Sequence, residues 1–189
     1  MRRLAGLLLA ALVFVASPAP ATATSVAALS DNELVRASDV IVRGRVVQVE
    51  TRTYDVGPQV FTEVTVAVED ALVGLPAPQR TVLVRIPGGQ TDAHHVVVPG
   101  MPSLAHGDEV VLFLEVLPAA FGEGAEVGYL PVGLSQGVWR RVGVDAWRRD
   151  AQEGLFSQPG DTPPARTPLA YGELASLCGA HPLADRGER

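Results

Sequence analysis

DVIVRGRVVQVETRTY, residues 39–54, decides the fold. β-Branched residues dominate it, with Val40, Val42, Gly44 and Val46 on one alternation phase and Val47 and Val49 on the other. Period-two alternation marks a strand, and a phase change beside a glycine predicts a β-bulge or a sharp bend. Just upstream, Ser30 and Glu33 have the spacing of a capping box for a short helix carrying Leu34 and Val35. Downstream, past the turn DVGPQ, Val60, Thr62, Val64, Val66 and Val68 alternate with Phe61, Glu63, Thr65, Ala67 and Glu69. That pattern predicts an antiparallel strand with one buried and one wet side, on which Glu63 and Glu69 are solvated.

The same texture continues. Pro76 and Pro78 stop the second strand, and QRTVLVRIP turns Val82, Val84 and Ile86 inward. EVVLFLEV, residues 109–116, is apolar on both phases and should be the most central strand. EVGYLPVG and QGVWRRV complete a set of short strands separated by Gly and Pro turns, which predicts a small barrel or sandwich over residues 24–156. Residues 157–167, SQPGDTPPART, read as a proline-rich linker. Thr167 as N-cap and Pro168 as first helical residue then predict a last helix over 168–178, with Leu169, Leu174 and Leu177 as its apolar stripe, and a loose tail over 179–189.

The first residues, MRRLAGLLLAALVFVASPAPATAT, combine a basic start, an apolar run too short for a stable span and the small-x-small signal Ala21-Thr22-Ala23. They predict a signal peptide over residues 1–23, cleaved after Ala23, and a secreted or periplasmic protein with no integral membrane span in the mature chain. The net charge of -6 then becomes thirteen arginines against twenty-one acids, or -8, which argues against nucleic acid as a partner. Cys178 is the only cysteine, so no intrachain disulfide is possible and stability must come from a packed core. Its place in LASLCGA predicts a small buried hydrophobe.

Two stretches draw attention as sites. Trp139-Arg140-Arg141 recurs as Trp147-Arg148-Arg149 around a turn at Gly143 to Asp145. A hairpin there gathers the residue types enriched at interface hot spots, making these six residues a candidate partner-binding patch; in the alternative, one Trp closes an end of the core and the arginines pair with surface acids. His94, His95 and His106 fall within thirteen residues, and with Asp92 they form a candidate metal set. Adjacent His94 and His95 on a strand would point to opposite faces, and no HExxH spacing supports the set. Ser103, His106 and Asp108 have the residue types of a nucleophilic triad but lie within six residues on one loop. The chain has no lysine, so the glycines of PGGQ and PGMP make no Walker loop.

SDVIVRGRVVQVE, followed by a second strand ending in ALVGL, resembles the netrin-like OB-fold domains, the family of the tissue inhibitors of metalloproteinases. Ser38 to Arg45 match the family's first strand, and Val73-Gly74 stand where it has a Lys-Gly turn. The longer series, with VRIPGG, VVPGMP, GDEVVLFLE and GLSQG, is similar to a group of uncharacterised exported bacterial proteins; the likeness covers about residues 33–150. It implies one mainly β domain, a small OB-like antiparallel barrel with a short N-terminal helix and a C-terminal helix packed on or plugging it. The inhibitors chelate the protease zinc through an N-terminal cysteine held by a disulfide. This chain has Arg36 near that position, so their mechanism does not carry over. The expectation is an exported, non-enzymatic binding protein without cofactor, whose partner is a protein or glycan, with a secreted metalloprotease as a candidate. A metal-assisted hydrolase using the loop histidines and a structural envelope component are the alternatives.

Overall fold

The structure is a computed structural model and describes residues 27–54, 60–75, 79–117, 127–150 and 167–179. The expected leader and its cleavage site, most of the linker and the tail lie outside these residues. Helix α1, Asp31–Ala37, opens with the expected box: the Ser30 amide donates to the Glu33 carboxylate at 2.7 Å, and the Glu33 amide to Ser30 Oγ at 3.3 Å. Strands β1 (Val40–Thr53), β2 (Val60–Val73), β3 (Thr81–Pro87), β6 (Glu109–Val116) and β7 (Gly128–Pro131) follow, with a small ribbon of β4 (Gly89–Gln90) and β5 (His95–Val96) between β3 and β6. A 3-10 turn at Leu134–Gly137 leads into β8 (Val138–Arg141) and β9 (Trp147–Arg149), and helix α2, Tyr171–Gly179, comes last.

Five of these strands close a hydrogen-bonded ring in the order β1, β2, β3, β7, β6 and back to β1. The expected all-antiparallel arrangement is corrected at one junction: β3 and β7 run parallel, through Leu83 with Gly128 and Val84 with Tyr129. The reason is arithmetic, because strand directions cannot alternate around a ring with an odd number of members. The β8–β9 hairpin extends the sheet from β6, whose far edge carries β7 at Leu114 to Val116 and β8 at Val110 to Leu112. β6 is thus bonded on both sides, as its doubly apolar sequence predicted, and Val110 to Leu114 are all buried.

The phase change in β1 is real. Its register against β2 shifts at Ile41/Val42, Arg43/Gly44 and Val46/Gln48, so Val46 is buried while the bulged Val47 is 40% exposed. Gly44 permits the bend, since a Cβ there would stand 2.2 Å from the Ala67 carbonyl oxygen of β2. Val40, Val42, Val46, Val64, Val66, Val82, Val84, Val110, Leu112 and Tyr129 fill the inside of the ring. A second core lies on the outside of β1 and β6, where Ile41, Val111 and Phe113 meet Leu34 and Val35 of α1, Leu174 and Cys178 of α2, and both tryptophans. Helix α2 therefore packs on the ring's outer face.

Helix α2 begins at Tyr171, three residues after the predicted start. Leu169 instead pairs as an isolated bridge with Trp147, each amide donating to the other's carbonyl at 2.8 and 2.9 Å. That extended backbone cannot also be helical. The Ala170 amide is satisfied by the Glu173 carboxylate at 2.9 Å, and the Tyr171 amide by Asp145 at 3.2 Å.

Candidate functional site

The Trp-Arg hairpin forms as the repeat suggested, but antiparallel pairing sorts its six residues into unlike environments. Trp139 lies opposite Arg149, Arg140 opposite Arg148, and Arg141 opposite Trp147. Directly opposed residues share a face, so both tryptophans, Arg141 and Arg149 point one way and Arg140 and Arg148 the other. Trp139 is 1% exposed and tilted against Phe113, and Trp147 is buried against Tyr171 with ring centroids 6.1 Å apart. Neither indole is available to a partner.

Arg149 is buried as well. Its Nε donates to the Gln136 carbonyl at 2.8 Å, Nη2 to Gln136 Oε1 at 2.8 Å, and Nη1 to the Leu29 carbonyl at 2.7 Å with Asp31 at 3.3 Å. Gln136 in turn accepts from the Leu29 amide and donates to the Ala27 carbonyl. One guanidinium and one carboxamide thus pin the segment ahead of α1 to the hairpin.

Arg140 and Arg141 border an open groove of about 450 Å³ with Gly107, Asp108, Glu109 and Gly143. Arg140 holds Asp150 at 3.1 Å, Asp108 at 2.7 Å and the Ser103 carbonyl. Arg141 holds Glu109 and also donates to the carbonyls of Gly143 at 3.0 Å and Val144 at 2.6 Å, which fixes the shape of the hairpin turn. Glu109 takes a second arginine, Arg45, at 2.5 Å. The hydrogen bond from Arg141, joined by Arg45, keeps the Glu109 carboxyl below its ordinary range despite the opposing effect of desolvation. Every donor nitrogen of Arg140 and Arg141 already has a partner within the protein, so an incoming anion would compete with these contacts. Arg148 is exposed and makes no ion pair among the described residues. Beside it the turn presents Val142, 45% exposed, and Val144, 91% exposed.

Asp92, His94, His95 and His106 are all exposed, and no group of three or more His, Cys, Asp or Glu among the described residues could hold a metal ion. His94 sits in a turn closed by Thr91, whose hydroxyl accepts from the His94 amide at 3.0 Å, and His95 enters β5. Asp108, the acid of the triad pattern, accepts from the Ala105 amide at 2.9 Å and from Arg140, so it is bound to the hairpin rather than to a histidine. Cys178 is buried, and burial pushes its thiol up to about 11.

Glu63 corrects the expectation of a solvated residue, since it is 8% exposed. It faces Arg85 across β2 and β3 at 2.8 Å, takes Arg52 at 3.0 Å and accepts from the Tyr54 hydroxyl. Burial acts to raise its carboxyl, but Tyr54, Arg85 and Arg52 outweigh it and hold the group below its ordinary value. The Arg85 side chain lies over Tyr54 on one side, and on the other its Nη1 would stand 2.9 Å from a Cβ on Gly128. It thus lies against Gly128 beside the short parallel junction between β3 and β7. Opposite charges on the same phase of successive strands were the available signal for this pair; for Gln136 the sequence carried none.

No protein-family model and no curated protein matches this chain. No helix among the described residues is long and apolar enough to cross a membrane.

Proposed function

We propose that the chain is an exported, non-enzymatic binding protein built on an OB-like, netrin-like barrel. The ring order β1-β2-β3-β7-β6 with its single parallel junction supports the barrel, since such folds are five-stranded, partly open Greek-key barrels that bind through loops and one open face. The observation that carries the binding reading is the tip of the β8–β9 turn. Val142 and Val144 project from a turn already fixed by Arg141 and by the Val142 amide, which donates to the Ala146 carbonyl at 2.8 Å, and the exposed Arg148 of β9 lies beside that turn. A rigid exposed tip loses little conformational entropy on binding, and Arg148 needs no rearrangement to meet a carboxylate. The loop 87–108, with Val97 72% exposed, forms a second contact surface.

The partner is a protein or glycan of the exported fraction, and a secreted metalloprotease is the first to test. A photo-crosslinker at Val144 should capture it, and Arg148→Ala should cut capture severalfold with the melting temperature unchanged. Equal capture by Arg148→Ala and by a Val97→Ser, Val142→Ser double variant would refute the reading.

A further inference from the structure

β1 is much longer than the strand that covers it. β6 pairs with Val40 to Arg45, and the last bonds on that edge are from the Val46 amide to the Asp108 carbonyl at 2.9 Å and from the Gly107 amide to the Val46 carbonyl at 2.8 Å. Beyond them β1 runs on through Val47 to Thr53, bonded to β2 on one side, with no described strand on the other. Six of these seven residues are exposed, among them Val47 and Val49, while Thr51 is half-buried. Open edges of this length invite another strand, and the bulge at Val47 guards only the beginning of it.

The sequence of the edge says which strand fits. A two-fold axis perpendicular to the sheet must pass through a residue that meets its own copy. Axes at Glu50 or Arg52 would oppose like charges. An axis at Thr51 sets Glu50 opposite Arg52 of the second copy, twice over, with Thr51 facing Thr51 and Val49 facing Thr53. Opposite charges and threonine pairs are favourable cross-strand partners. Glu50 and Arg52 already attract each other within one chain at 2.9 Å and need only exchange partners.

We infer that Val47 to Thr53 is a self-association edge, where two copies join β1 to β1, antiparallel about an axis at Thr51, and the sheet continues from one copy into the other. The edge is short, so the contact falls below the area of permanent dimers and the association depends on concentration. This inference does not rest on the binding reading, which is carried by the β8–β9 turn.

Sedimentation equilibrium on the protein purified from its own host tests it. The expected result is a monomer that becomes a dimer with concentration, with hydrogen exchange slowing over residues 47–53 as it does so. Glu50→Arg and Arg52→Glu should each raise the dimer dissociation constant by about tenfold or more, since each opposes like charges twice. Mixing the two variants should restore association as a heterodimer, which no loss of stability can imitate. Circular dichroism checks that both fold; if Arg52→Glu does not, the exchange experiment on the unaltered chain decides. A chain that stays monomeric at its solubility limit, a dimer whose slowed amides lie outside 47–53, or folded variants that do not associate on mixing would overturn the inference.

Discussion

Trp139-Arg140-Arg141 and Trp147-Arg148-Arg149 are the same three residues in the same order on neighbouring strands, and they do different work. In the first copy the arginines tie loops together at the surface. In the second, one arginine is buried under the N-terminal segment and the other faces solvent without an ion-pair partner among the described residues. The antiparallel register makes the difference: it places the last arginine of each copy beside the tryptophan of the other, but one such pair sits near Leu29 and Gln136 and the other near the open turn. A side chain's chemistry sets what bonds it can make; its place along the hairpin sets whether water competes for them.

The tryptophans should show the largest effects. Trp139→Ala leaves a cavity between Phe113 and the helices and is expected to cost about 3–5 kcal/mol in urea unfolding. Trp147→Ala should cost less, because Trp147 lies at the edge of the sheet, where Tyr171 and Leu169 can close over the gap. Equal costs would mean that the hairpin is one packing unit and that the two copies are not distinct.

Next comes Arg149. Arg149→Ala removes the donors for two carbonyls and a carboxamide oxygen that have little access to water, at about 2–4 kcal/mol. Arg149→Lys should rescue little of this, since an ammonium cannot reproduce the planar fork. The specific sign is faster hydrogen exchange at residues 27–31, where Arg149 and Gln136 hold the chain. Loss of stability without that local change would assign Arg149 to general packing.

What the sequence made legible follows from what each signal depends on. The box at Ser30 and the bend at Gly44 are local, set by residues a few positions apart, and both are found. The strands were readable because valines alternate. Signals that compete with tertiary pairing misled: Thr167 and Pro168 have the chemistry of a helix start, but the open edge of β9 takes Leu169 as a strand partner. Glu63 lies on the polar phase, but polar does not mean wet here; the partner that makes burial tolerable, Arg85, comes from another strand. For the hairpin, the repeat showed that the six residues come together but carried no sign that α1 and α2 cover the face holding both tryptophans.

The smallest effect belongs to Arg141, and pH separates it from Arg149. Arg141 and its partner Glu109 meet at the surface, where salt and water weaken the pair, so Arg141→Ala should lower stability less than the changes at Trp139, Trp147 and Arg149. Glu109 titrates below its ordinary value of 4.5 when folded, chiefly through the Arg141 hydrogen bond. A carboxyl depressed on folding stabilises the protein above its unfolded value, and that contribution disappears as pH falls through the folded one. The stability gap between the unaltered protein and Arg141→Ala should therefore be widest near neutral pH and shrink below 4.5. The gap for Arg149→Ala should keep most of its size across the same range, because its bonds to the Gln136 and Leu29 carbonyls and to the Gln136 carboxamide go to oxygens that do not titrate. If both gaps closed together in acid, the buried arginine would owe its contribution to Asp31 instead, and the two copies would differ in depth but not in kind.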